Sequence, residues 1–244
     1  MNTPCDSVAV RLLCAVLLVS VGFSACGSPT VDVVFYIYDG YTFSRAEQHT
    51  IETIATRAAL DAKRLLPGLP DHLIVRVNPG KKVMPETGQT AEVSPPNVVY
   101  WMVDPNLYGG VIAIAKRQLR STLLHEFHHL VRDGSRTSSG SLMERVIDEG
   151  LATAFERDFG DAPTPWGTYP PDVLDWVKEL RALPANASTT VWMSQHPDGR
   201  RWIGFKAGTY LVDRAMRATG QSASQLVSVS TDKILEMALK EDSP

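Results

Sequence analysis

The spacing of apolar residues changes character along the chain. Residues 31–38 form a short β-branched and aromatic run closed by Asp39 and Gly40, which predicts a strand and a turn. Ile51, Ile54, Ala55, Ala58, Ala62 and Leu65 then repeat at helical spacing, with Ser44 and Glu47 as a capping box ahead of them and Pro67-Gly68 as a stop. Two further strand-like runs, 73–77 and 98–103, flank a polar stretch, 78–94, whose glycines and prolines argue against regular structure. Beyond residue 118 the period is helical. Leu119, Leu123, Phe127, Leu130 and Val131 share one side of a helix that ends at Asp133-Gly134. Met143, Val146, Ile147, Leu151, Ala154 and Phe155 follow behind a second capping box, Ser141 with Glu144, and residues 172–183 and 224–240 read as later helices. The pattern predicts an α+β fold: a small N-terminal three-stranded sheet packed on the helix around residue 126, and a mostly helical C-terminal half.

Ahead of this domain, residues 1–25 have the shape of a secretory leader: Arg11, an apolar run over 12–23, then Ser24 and Ala25. The run is short for a permanent span. The stretch Phe23-Ser24-Ala25-Cys26-Gly27 resembles a bacterial lipobox, which implies lipidation of Cys26 and a membrane anchor. The chain then divides into a leader with lipobox (1–25), a lipid-attachment linker (26–30) and one domain (31–244). Gly27 and Ser28 in place of aspartate resemble outer-membrane sorting. The expected location is the bacterial cell envelope, on the periplasmic face, with a secreted form as the alternative. All three cysteines, Cys5, Cys14 and Cys26, precede residue 27, so the domain has neither a disulfide framework nor a cysteine metal site. A net charge of −3 shows no basic excess, and no nucleic-acid partner is expected.

The chemistry concentrates in residues 121–132, STLLHEFHHLVR, where His125, Glu126 and His129 spell HExxH. Helical residues four apart lie on one face, so both imidazoles can reach one ion, with Glu126 beside it as general base for a metal-bound water. His128 lies about 100° round the helix from His129 and is not expected to ligate. A catalytic zinc site takes a third protein ligand. The next helix carries Ile147-Asp148-Glu149-Gly150-Leu151-Ala152, and Glu149 is the expected third ligand. Asp148 competes with it, or holds a ligand histidine by its second ring nitrogen. Gly150 costs helix stability and points to close approach of another backbone or of the site.

HEFHH followed by DEGLA resembles the gluzincin type of zinc peptidase, and more narrowly an uncharacterised bacterial family of zinc-dependent proteases. The resemblance covers most of the chain after the leader, with its specific motifs in residues 125–152 and a weaker glycine-aromatic element near residue 204. It implies a zincin-like fold, Zn2+ held by His125, His129 and Glu149, Glu126 as base, and a peptide or protein substrate. It also implies that the strand near residue 100 supplies a sheet edge for an extended substrate, against the alternative of a buried core strand. A tetrahedral oxyanion needs a donor besides the metal. Tyr210 and His196 are the candidates, with Arg200, Arg201 and Tyr169 behind them. Gly204 and Gly208, one helical turn apart, leave a smooth patch for close packing.

Other readings stand beside this one. One is a surface-tethered binding or folding-assistance protein with a structural zinc site, which needs a fourth protein ligand from Asp148, His128 or His196. Another is a catalytically dead relative, against which the intact Glu126 counts. A third is a zinc hydrolase of non-peptide amides.

Overall fold

The computed structural model describes residues 28–38, 40–134, 140–184 and 187–240. The expected leader, residues 1–25, and Cys26 lie outside them. A four-stranded sheet takes the order β1-β2-β4-β3. β1 (Thr30–Phe35), β2 (His72–Pro79) and β4 (Val98–Val103) are parallel, and β3 (Gln89–Ser94) pairs antiparallel with β4. The α+β architecture is as expected, with one strand more. Gln89–Ser94 has a polar sequence, QTAEVS, and its pairing with β4, not its own propensity, makes it a strand. The strand near residue 100, weighed as an edge or a core strand, is interior. The edge beside the helix that carries HExxH is β3.

One sheet face is packed. Leu73, Val75, Val77, Val99, Trp101 and Val103 are buried against the helices. α1 (Arg45–Leu65) crosses from β1 to β2 and starts at the Ser44–Glu47 capping box. The other face carries the row Val34, Arg76, Tyr100 and Glu92, of which Val34 and Glu92 are exposed.

After β4, α2 (Val111–Ile114) runs through a wide π turn, Ala115–Leu119, into α3 (Arg120–Gly134), the helix that carries HExxH. α4 (Leu142–Phe159) begins at the Ser141–Glu144 capping box. α5 (Val173–Ala182), α6 (Thr189–Met193), α7 (Ile203–Thr219) and α8 (Thr231–Leu239) complete the chain. The last is shorter than the 224–240 expected.

α4 and α7 touch through glycine. A Cβ placed on Gly150 would lie 2.3 Å from the Gly208 carbonyl carbon, and one on Gly208 would lie 2.0 Å from the Val146 oxygen. Only hydrogen at both positions permits this approach. Gly204, a turn earlier, takes the Met193 side chain, whose Sδ would fall 2.0 Å from an added Cβ.

Candidate metal centre

α3 is fixed to the sheet one turn before His125. Gln89 at the start of β3 is buried; its Nε2 donates to Thr122 Oγ1 at 2.9 Å, and Trp101 Nε1 donates to its Oε1 at 2.6 Å. The same helix holds the loop after α4, since Ser121 Oγ accepts from the amides of Asp161 and Ala162 at 2.9 and 3.0 Å. Both anchors lie beside the HExxH segment and set its depth beneath β3.

The ligand atoms of His125, His129 and Glu149 fall within 4.8 Å of one another. His125 Nε2 and His129 Nε2 are 3.1 Å apart, and Glu149 Oε2 is 3.1 Å from the first and 3.3 Å from the second. Nitrogen and oxygen donors about 2.0–2.1 Å from a tetrahedral zinc ion stand about 3.3 Å apart along each edge of the tetrahedron. The donors therefore have the chemistry and the spacing of three corners of such a site. His125 and Glu149 are buried, and the His129 side chain is 12% exposed.

His125 and Glu149 are braced from behind. His125 Nδ1 meets Glu156 Oε2 at 3.1 Å, and Trp166 Nε1 donates to that same oxygen at 3.3 Å. Arg145 Nε sits 3.0 Å from Glu149 Oε1, leaving Oε2 turned to the histidines. Burial works against charge on Glu149, but His129 and His125 overcome it and hold the carboxyl well below its usual range. Burial also works against a charged His125, yet the hydrogen bonds its ring donates to Glu149 and Glu156 raise it well above 6.5. Glu126, buried beside the cluster, is raised chiefly by that burial. His128 points elsewhere, its Nε2 lying 3.3 Å from the Ala223 carbonyl, and burial keeps it neutral.

The cluster opens into a cleft of about 470 Å³ lined by β3, α3 and α4 together with Trp166, Met193, Trp202 and Phe205. A cleft of this size suits a short segment of ligand. A larger cavity of about 750 Å³ at the carboxyl ends of β1, β2 and β4 contains none of the clustered donors.

A family described as "Predicted Zn-dependent protease (DUF2268)" matches residues 48–236. The chain belongs to this family. No curated protein and no solved structure matches it. The family's name is zinc-dependent, and the His125–His129–Glu149 cluster is compatible with a zinc ion.

In this family member, Asp148 lines the same cleft as the donors, and the other expected site residues are engaged elsewhere. Asp148 accepts from Arg132 Nε at 2.6 Å, and the brace on His125 is Glu156. The Tyr210 hydroxyl accepts from Arg214 at 3.3 Å, its ring stands edge-on to Tyr169, and it does not line the cleft. His196 and Arg200 are paired with Asp198 and Glu179 respectively, and Arg201 with Glu86. The Tyr169 hydroxyl donates to Asp213. Glu156 had no signal in the sequence except its position seven residues after Glu149, which is two turns along the same helix face.

Proposed function

We propose that the protein is a gluzincin-type zinc hydrolase of peptide bonds, with His125, His129 and Glu149 holding the ion and Glu126 as general base. The observation that carries this is the convergence of three donor atoms at tetrahedral spacing, with a second buried carboxyl, Glu126, beside them, in an open cleft. Bound there, zinc supplies a polarised scissile carbonyl and a water acidic enough to lose a proton near neutral pH.

Glu126, buried beside the donors and lining the same cleft, would take a proton from the attacking water and deliver it to the leaving amine. Glu156 keeps the His125 ring oriented, and Arg145 keeps one oxygen of Glu149 aimed at the histidines. β3, whose side away from β4 carries no strand among the described residues, offers backbone groups to an extended peptide by strand addition. Three protein donors favour a site open to reaction over a closed structural one. In this reading Cys26 tethers the enzyme to the envelope and places its substrates there.

The test measures metal content by mass spectrometry, and peptide hydrolysis, in the wild type, Glu126→Gln, Glu149→Ala and His129→Ala. Zinc at about one per chain is expected in the wild type and Glu126→Gln, with sharp loss in the other two, and turnover in the wild type alone. Full turnover by Glu126→Gln sinks the mechanism, and a wild type that takes up no zinc sinks the site.

A further inference from the structure

One wall of the cleft is aromatic, and its geometry is held at a cost. Trp166, Trp202 and Phe205 pack as a trio with ring centroids 5.5, 5.6 and 6.2 Å apart. Trp166 is buried beneath, while Trp202 and Phe205 are half-buried and line the cleft together with Met193 and Met84. All five share this cleft with His125, Glu126, His129 and Glu149.

Trp202 is one of only two non-glycine residues with positive φ among those described; at φ 61° and ψ 33° it sits in the left-handed region. That conformation is unfavourable for a bulky side chain and persists only where the surroundings over-determine it. They do so here. The Trp202 amide donates to the Ser194 carbonyl at 2.9 Å, and its own carbonyl accepts from Lys206 at 2.9 Å to open α7. Arg201 stacks over its ring at 5.0 Å and pairs with Glu86, in the loop that also carries Met84. Gly204 clears the space for Met193 beside it. A relaxed backbone at residue 202 would aim the indole elsewhere, so these contacts serve its position at the cleft.

We infer that Trp202, Phe205, Trp166 and Met193 form a subsite for a large apolar side chain, aromatic above all, one residue or a few from the bond that is cut. Aromatic rings take aromatic and thioether partners edge-on or offset, and a half-buried pair over a buried floor gives such a side chain desolvation on entry. The floor also touches the metal machinery: Trp166 Nε1 donates to Glu156, which braces His125. A side chain seated against Trp166 thus rests two hydrogen bonds, through Glu156, from His125. The inference builds on the proposed hydrolase reading, and its test separates the two.

The experiment cleaves a proteome-derived peptide library with the zinc-loaded protein, with Trp202→Gly and with Phe205→Ala, reading cut sites by mass spectrometry and zinc content alongside. Wild type is expected to favour Phe over Ala at one fixed position by about tenfold or more in kcat/KM. In both variants that ratio should fall to within about threefold, with zinc retained. A preference that survives both substitutions, or no preference at any position, overturns the subsite. Capture of the same library on immobilised Glu126→Gln protein judges the subsite without turnover. Enrichment of aromatic peptides, lost when Phe205→Ala is added, upholds it even where the wild type cuts nothing, in which case only the hydrolase reading falls. No enrichment in the capture and none in the cut sites overturns it.

Discussion

Replacing Gly150 by alanine tests whether the helix crossing behind the cluster governs the metal site. The added methyl would sit 2.3 Å from the Gly208 carbonyl carbon and 2.5 Å from its oxygen. Carbon atoms pack at about 3.5–4.0 Å, so α4 and α7 must part by roughly 1 Å. The obstructing atoms are backbone and cannot rotate away. Alanine gains about 1 kcal/mol of helix propensity over glycine, and overpacking a tight core costs about 1–3 kcal/mol or more. With a rigid obstacle the upper end applies, and the expected net loss is about 2 kcal/mol. Glu149 is the preceding residue, and its Oε2 reaches the two histidines at 3.1 and 3.3 Å. Site geometry tolerates only about 0.5 Å, so zinc affinity should fall about tenfold or more. Urea unfolding of the metal-free protein measures the first effect, and competition with a chromogenic chelator measures the second. A Gly150→Ala protein within about 0.5 kcal/mol of wild type, with unchanged zinc affinity, would refute the reasoning.

Other predictions reach different parts of the molecule. Glu156→Gln should weaken zinc binding about 10–100-fold while secondary structure by circular dichroism stays intact; unchanged affinity in the chelator assay would show that Glu156 does not brace His125. Arg132 is fully buried, bound to Asp148 and to the carbonyls of Val227 and Val229, so Arg132→Met should cost about 3 kcal/mol in urea unfolding; a loss below about 1 kcal/mol would mean that these partners are satisfied without it. Glu47 accepts from the Tyr41 hydroxyl at 2.6 Å and from the Ser44 amide at 2.7 Å; partial burial opposes its charge, but these bonds win and its carboxyl titrates below 4.5. A carboxyl with a lowered folded pKa stabilises above its unfolded value and loses that contribution as pH falls through the folded value. Glu47→Gln should therefore cost about 1 kcal/mol at neutral pH, a gap that closes as pH drops below about 4.5; a gap independent of pH would contradict the charge argument.

Much of this arrangement was legible from residue spacing, and the exceptions have physical causes. Both capping boxes occur where Ser44 and Ser141 precede glutamate by three, because that motif is local and satisfies the backbone on its own. The HExxH pair and Glu149 converge because the helix period carries all the information needed within each helix. Gly150 and Gly208 were readable as contact points, though not as each other's partner. β3 was hidden: its residues have no strand bias, and only the antiparallel pairing with β4 and the Gln89 link to Thr122 define it. Glu156 was hidden for a related reason, since a group that acts through a ligand has no fixed spacing from it. The proline- and aromatic-rich run 161–171, by contrast, is readable as a loop at the cleft rim and does bring Trp166 there. The position of Trp202 rests on contacts with Ser194 and Arg201 that no propensity scale describes.

The donors and their brace all come from one stretch, His125 to Glu156, carried by two consecutive helices. The walls of the cleft come from elsewhere: β3 upstream, and Trp166, Met193, Trp202 and Phe205 downstream. Under the proposed function, the groups for chemistry and the walls that select the ligand thus come from different stretches of the chain. Changes at residues 90–94 or at 202 and 205 should retune what enters the cleft with the donors left in place. Gln89 through Thr122, Trp166 through Glu156 and Gly208 against Gly150 nevertheless tie the walls to the two helices, so the helix pair alone would not carry the site to another scaffold.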